Sequence, residues 1–396
     1  MLRRLCKDVL ASTTRRAMST VPNRLPATFL RGGTSKGIFL NKAVLPTERA
    51  EWTPLFLGIM GSPDAEYGRQ LNGMGGGVSS LSKIMVVSSP TEEQKAKGID
   101  AEYTFAQVGI RDSTIDYSGN CGNLTSMIGV FAIDEGICPP PNVKEDGQAT
   151  VRLFNTNTQK IIDTTFPVSE TGAPVLDLPQ VTMAGVPGKA SKIVLDFVNP
   201  GGARTGKLLP SGNATDDIEI GEGCVVKASL VDATNPTVFV SYSELNEFLA
   251  MDDYLNGKDT PQTQVVSRIL ESIRQEGAKK MGLDPSAQAQ PKIAILRAPY
   301  TDEDKSQEVS IVIHALSMGV LHKAVPMTVG LCLGVASKIQ GTIAWNIVHG
   351  NDSDLIRIRH PGGLVDVGAE FGSNGDVKSA KVIRTGRRLM KGIVWH

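Results

Sequence analysis

Apolar positions in this chain fall into short runs broken by glycine-rich turns, and the order of the runs repeats. In the first half, Gly37–Leu40 reads as a strand and Glu48–Met60 as a helical stretch. A glycine-rich turn leads to a strand at Lys83–Val87, a charged loop at Thr91–Gly98 and two more strands. The apolar helical run Met127–Ala132 follows. The second half echoes this order. A strand at Thr237–Val240 precedes helices through Leu255 and over Thr263–Met281, then a strand at Pro291–Leu296. A loop at Tyr300–Gln307, a strand at Val309–Ile313 and a helix over Thr328–Ile339 complete it. The pattern predicts an α/β protein with α+β character, built as two similar halves joined near Val186–Lys189.

Two helices hold matching places in those halves, one after Cys121 and one after Lys323. In such a pair the ligand site falls in the cleft between halves. There the two helix N-termini point toward each other and favour a multiply negative ligand. The substrate class that follows is a small polycarboxylate.

Composition narrows the choice further. The 396 residues carry 41 Lys+Arg against 41 Asp+Glu, so no net field draws the chain to nucleic acid or a membrane surface. Aromatics make up only 5 %, which argues against base-stacking platforms. No run approaches the ~20 apolar residues of a membrane span. The five cysteines include no CxxC pair and the five histidines no HExxH spacing, so neither a disulfide framework nor a metal site is indicated. Residues 1–22 differ from the rest. Arg3, Arg4, Lys7, Arg15 and Arg16 face a single acid, Asp8, in a Ser/Thr-rich segment able to form one apolar helical face. That is a transit-peptide pattern and predicts import into the mitochondrial matrix, with a cytoplasmic location as the alternative.

Three segments carry chemistry. Ser118–Leu124 sets Cys121 between two Gly/Asn pairs, ahead of the apolar helix. Glycine lets backbone approach a ligand, and a helix start receives anions and activates a thiol. Asn120, Gly122 and Asn123 are therefore candidate carboxylate contacts beside Cys121. Arg31–Gly37 lacks Walker spacing, yet Thr34, Ser35 and Lys36 offer two hydroxyls and a cation to a carboxylate. Asn72–Lys83 holds three consecutive glycines, which would weaken a strand and suit close approach to a ligand at Gly76 and Gly77. Lys83 ends that loop at the mouth of an apolar strand, a position suited to a base. Ser211 is a further possible donor and Lys323 a second-half cation. No GxSxG elbow leads into a helix (Gly33–Gly37 fits the spacing but leads into a strand) and no GxGxxG is present, which disfavours hydrolase and dehydrogenase readings.

These motifs together resemble the PrpF family. The resemblance rests on Arg31–Gly37, the Gly75–Gly77 and Ser82–Lys83 segment, and Gly119–Asn123. It extends to Thr205–Pro210, Val231–Pro236 and the closing Arg384–Gly392. It covers Leu25 to the C-terminus and implies a diaminopimelate-epimerase-like fold. That fold has two pseudo-symmetric halves, each a mixed sheet curled around a central helix. The halves expected are residues 23–188 and 189–383, with 384–396 able to complete the first.

The resemblance further implies cofactor-free isomerisation of unsaturated tricarboxylates such as 2-methylaconitate or aconitate, with Lys83 and Cys121 flanking the substrate. Both cis-trans isomerisation and double-bond migration remain open. The facing cysteine pair of the epimerases is missing, because the second half carries Leu321–Ala324 in that place. That departure argues against amino-acid racemisation. A tricarboxylate-binding accessory protein without turnover is the rival reading, and it would not need Lys83 and Cys121 together. A homodimer is the one macromolecular partnership left open.

Overall fold

The computed structural model describes residues 24–117, 119–139, 142–221, 223–287, 290–317, 319–348 and 354–396. The basic leader 1–22, Ser118 and His349 lie outside the described residues.

The first half carries β1 (Arg24–Gly32), β2 (Ser35–Asn41), β3 (Lys83–Ser88), β4 (Ala101–Val108), β5 (Ile115–Asp116), β6 (Gln148–Asn155) and β7 (Lys160–Pro167). A separate hairpin follows, β8 (Val181–Met183) and β9 (Val186–Ala190). Next come β10 (Ile193–Val198), β11 (Asp216–Glu219), β12 (Val225–Ala233), β13 (Asn235–Ser241) and β14 (Lys292–Arg297). The chain ends with β15 (Ile311–Ser317), β16 (Val320–Leu321), β17 (Leu355–His360), β18 (Gly363–Phe371), β19 (Val377–Arg384) and β20 (Gly386–Trp395).

The repeat read from the sequence is a repeat of strand pairing. β1 runs antiparallel to β2, β2 parallel to β3, β3 antiparallel to β4, β4 parallel to β6, and β6 antiparallel to β7. Strands β12, β13, β14, β15, β17 and β18 pair in the same order and the same senses. The halves are then stitched by exchange. β10 pairs with both β7 and β19, while β11 pairs with β12. β19 pairs with β18, while β20 pairs with β1. The chain therefore crosses between halves after β10 and again after β19. A boundary at 188/189 falls inside β9, one strand before β10 adds to the sheet of the first half.

Each half curls around a central helix. In the first half it is Ile128–Asp134, entered through a 3-10 turn at Leu124–Met127. In the second it is Met327–Ala336, whose residues from Val329 onward are all buried. A helix apolar on every side belongs in a core. These two share one core with Leu30, Phe39 and Val151 of one half and Val231, Ile313 and Val367 of the other. Each fully buried side chain of this size is worth about 1.5–3 kcal/mol. Outer helices cover the other faces. Trp52–Met60 packs on the first half, and Pro261–Lys280 turns Val266, Leu270 and Ile273 onto the second.

Two expected loops contain a turn of helix. Glu92–Ala96 starts from Thr91, and Asp302–Ser306 from Thr301, each with a reciprocal capping box to Gln94 or Asp304. The charged composition that suggested a loop belongs to short helices lying on the surface.

Candidate active site

The Cys121 turn, the β1–β2 hairpin and Lys83 pack against one another, and glycine in the hairpin is what lets them do so. A Cβ built on Gly32 would sit 2.5 Å from the Asn123 carbonyl oxygen and 3.1 Å from Leu124 Cα. One on Gly37 would meet the Leu124 side chain at 2.7 Å and the Lys83 carbonyl at 2.8 Å. The β1–β2 hairpin is thus pressed between the Cys121 turn and the start of β3.

Cys121 is buried, with 8 % of its surface exposed, and its Sγ accepts from the Leu124 N–H at 3.5 Å. Asn120 Oδ1 receives the Tyr103 hydroxyl and the Thr125 hydroxyl, each at 3.1 Å. Burial pushes the Tyr103 phenol above its ordinary value. Asn123 Nδ2 reaches back to Thr34 Oγ1 at 3.1 Å and Ser35 Oγ at 3.4 Å. Gly122 faces the other half. Its Cβ position lies 3.3 Å from the Met327 side chain at the start of the second central helix. The Cys121 turn thus meets the start of the second central helix.

Lys83 opens β3 and is 9 % exposed. Its Nζ lies 4.9 Å from the Phe105 ring centroid and donates to Gln107 Oε1 at 2.5 Å. Gln107 is itself aimed, because its Nε2 donates to the carbonyls of Ser82 at 2.9 Å and Ser79 at 3.2 Å. A neutral amide orients the amine here; no carboxylate among the described residues hydrogen-bonds to it.

Two cavities of about 440 Å³ open beside the crossing strand, sharing Met183 of the β8–β9 hairpin as a wall. One is lined by Arg31, Lys36, Lys189 and Arg387 against a single acid, Asp177. Arg31 Nη1 ties down Thr385 through its carbonyl at 3.2 Å and hydroxyl at 3.1 Å. The other is lined by Gly363, Ala184, Arg357 and the buried Arg384. Burial holds the Arg384 guanidinium down to about 10, with charge attraction from Cys121 acting the other way. His360 is held down to about 4, first by burial and then by Arg384 and His322.

Among the sequence candidates, Thr34, Ser35, Asn120, Cys121, Gly122 and Asn123 stand together, with Lys83 joined to them through Gly37 and Lys36 lining the basic cavity. Lys323 is exposed on the turn whose carbonyl lies 3.2 Å from the Cβ position of Gly362. Gly76 and Gly77 are placed differently from the expectation of ligand approach. Gly77 packs on the Gly68 carbonyl, and its N–H donates to buried Gln70, while Gly76 lies against Leu81. The triple glycine is needed by the chain's own packing. Ser211 donates to Asp216 in a loop held to Gly341, past the far end of the second central helix. Ten residues of helix separate that loop from the cleft, about 15 Å. Gln107 and Arg384 were not foreseen. Arg384 lies in the closing motif, but one arginine among three gives no sign of which is buried.

Two halves of like strand pairing, each curled around a central helix and meeting where the Cys121 turn reaches Met327, are the architecture of the diaminopimelate-epimerase-like isomerases. Residues 22–396 match the model of the family described as PrpF protein, and the chain belongs to that family. It is 34 % identical to 3-methylitaconate isomerase of Eubacterium barkeri, over 94 % of this chain and 97 % of the relative. It is 33 % identical to 2-methyl-aconitate isomerase of Shewanella oneidensis, over 94 % and 96 %. The crystal structure of a methylitaconate-delta-isomerase superposes with a TM-score of 0.80 at 34 % identity, covering 94 % of this chain and 95 % of that one. The protein is an isomerase.

Proposed function

We propose that this isomerase acts on small unsaturated polycarboxylates, with 2-methylaconitate or aconitate as substrate, by allylic proton transfer without a cofactor. The observation that carries the reading is the convergence of Lys83 and the Cys121 turn on Gly37, next to Lys36, which lines a cavity rich in cations. The names of the relatives support the substrate class. Lys83 Nζ takes a proton from the carbon next to the double bond. The released electron pair spreads through the alkene into the conjugated carboxylate, whose charge the Cys121–Leu124 amides and the cationic walls stabilise. Rotation and return of a proton to the same carbon gives cis-trans isomerisation. Protonation two carbons away moves the double bond. One proton leaves and one enters, with Cys121 as the second acid, so the reaction is redox-neutral.

The test is NMR in D₂O with 2-methylaconitate and cis-aconitate. Solvent deuterium entering the allylic position together with a new isomer supports the reading. Unchanged spectra at high enzyme concentration for both substrates refute it.

A further inference from the structure

A buried arginine ordinarily has an acid beside it, and two arginines are buried among the described residues, Arg274 and Arg384. Arg274 is paired with Glu271, and the more exposed Arg152, Arg357, Arg359 and Arg388 also have acid partners. Arg384 has no acid partner among the described residues, although it is 3 % exposed. Its Nη1 donates to the carbonyl of its own neighbour, Ile383, at 2.8 Å, and its buried Nε has no partner at all. An uncompensated buried charge is among the costliest features a fold can hold. Something outside the described chain must therefore repay it.

Position says what. Arg384 ends β19, opposite Ile193 of β10, where the chain crosses back to the first half. The next residue, Thr385, accepts from Gly33 N at 2.9 Å through its carbonyl, so this backbone is fixed to the β1–β2 turn. Arg384 lines the cavity beside Gly363 and Ala184, which Glu303 and Asp366 also line, and it interacts electrostatically with Cys121 and His360. His360, whose imidazole is either neutral or cationic, cannot serve as a counter-ion. We propose that Arg384 is a carboxylate anchor at the floor of the cleft, receiving one carboxylate of the substrate on its free Nε edge while Lys83 and Cys121 address the carbon skeleton. This rests on the polycarboxylate reading of the same cleft. A planar guanidinium fork suits a carboxylate, and the bond forms in a place water has already left.

The experiment measures binding of tricarballylate, a saturated tricarboxylate that cannot react, by calorimetry, alongside the melting temperature of the ligand-free protein. Arg384→Met is expected to weaken binding about 10²-fold or more, with a melting temperature equal to or above that of the wild type, because an unpaired charge has been removed. Arg384→Lys keeps the charge and loses the fork, and is expected to bind about tenfold more weakly. It decides the matter if the Met variant does not fold. Wild-type affinity in either variant overturns the anchor, as does a wild-type protein that takes no tricarballylate at millimolar concentration. A lower melting temperature with unchanged affinity assigns Arg384 a purely structural role and also overturns it. Arg384-dependent binding without deuterium exchange leaves the anchor and removes the isomerisation chemistry. Exchange with an unaltered KM in Arg384→Met does the reverse.

Discussion

Gly32→Ala adds one methyl group at a place where two parts of the proposed active site touch. Gly32 has ordinary backbone angles, so alanine meets no conformational penalty and the perturbation is purely steric. The new Cβ would lie 2.5 Å from the Asn123 carbonyl oxygen and 2.9 Å from Ser126 Oγ, about 1 Å short of normal separation. That oxygen cannot swing aside, because it already accepts from Ser126 N at 3.3 Å and Ser126 Oγ at 2.7 Å. The β1–β2 hairpin and the Cys121 turn must therefore part by most of that ångström. Overpacking of this kind costs roughly 1–3 kcal/mol in stability, which lowers the melting temperature by only a few degrees in a chain of this size. Misplacing catalytic groups by about 1 Å costs roughly 10²-fold in rate. The assay is initial turnover by NMR, with melting temperatures measured on the same samples. Gly119→Ala is the control, two residues from Cys121 with nothing within 4 Å of its Cβ position. Wild-type kcat in Gly32→Ala, or an equal loss in Gly119→Ala, refutes the steric reasoning.

Lys83→Met keeps the aliphatic packing on Phe105 and removes the base, so kcat should fall by about 10²–10⁴ with little change in melting; near-normal turnover sinks the assignment. Cys121→Ser should fall steeply in kcat while tricarballylate still raises its melting temperature. Iodoacetamide at pH 8 should reach exposed Cys224 and, more slowly, Cys121, with tricarballylate protecting only the latter. Cys138 and Cys332, pushed by burial to about 11 and 12, should stay unmodified, and their labelling would contradict the structure. His360 is held at about 4 when folded against an ordinary 6.5 when unfolded. The unfolded chain therefore binds the extra proton between those values, and stability should drop as pH falls from 6.5 to 4. His360→Asn should flatten that part of a melting-temperature profile, and an unchanged slope assigns the effect to other groups. Residues 1–22 are expected to carry a fused fluorescent protein into mitochondria; diffuse fluorescence counts against a transit peptide.

How much was legible in the sequence depended on how local its cause was. The Cys121 turn could be read because helix-start chemistry and its Gly/Asn composition lie within one heptad. Lys83 could be read because it sits where a glycine loop gives way to an apolar strand. The repeat showed through because both halves place an apolar strand and helix in one order. Other features depend on distant partners. The triple glycine at Gly75–Gly77 answers to Gly68 and Gln70, which no local pattern links to it. Ser211 looked like a donor, but it is committed to Asp216. β20 shows no alternation because nearly all of its residues are exposed, and Arg384 differs from Arg387 and Arg388 only in burial.

The crossing of β20 onto β1 also sets an order in time. Thr385 and Arg31 meet across 354 positions of chain, so the frame that holds Thr34, Ser35 and Lys36 is closed only by residues that follow the whole second half. During synthesis, β1 can pair with β2 at once, yet its other edge waits until the whole second half has emerged. Neither half can be finished alone, since β10 pairs with both β7 and β19 and the outer edge of β1 is completed by β20. Such long-range closure slows folding and leaves one apolar edge of the nascent chain open meanwhile. Truncating the C-terminus should therefore damage the beginning of the protein first, and a nascent chain stopped before β20 is a natural client for a chaperone.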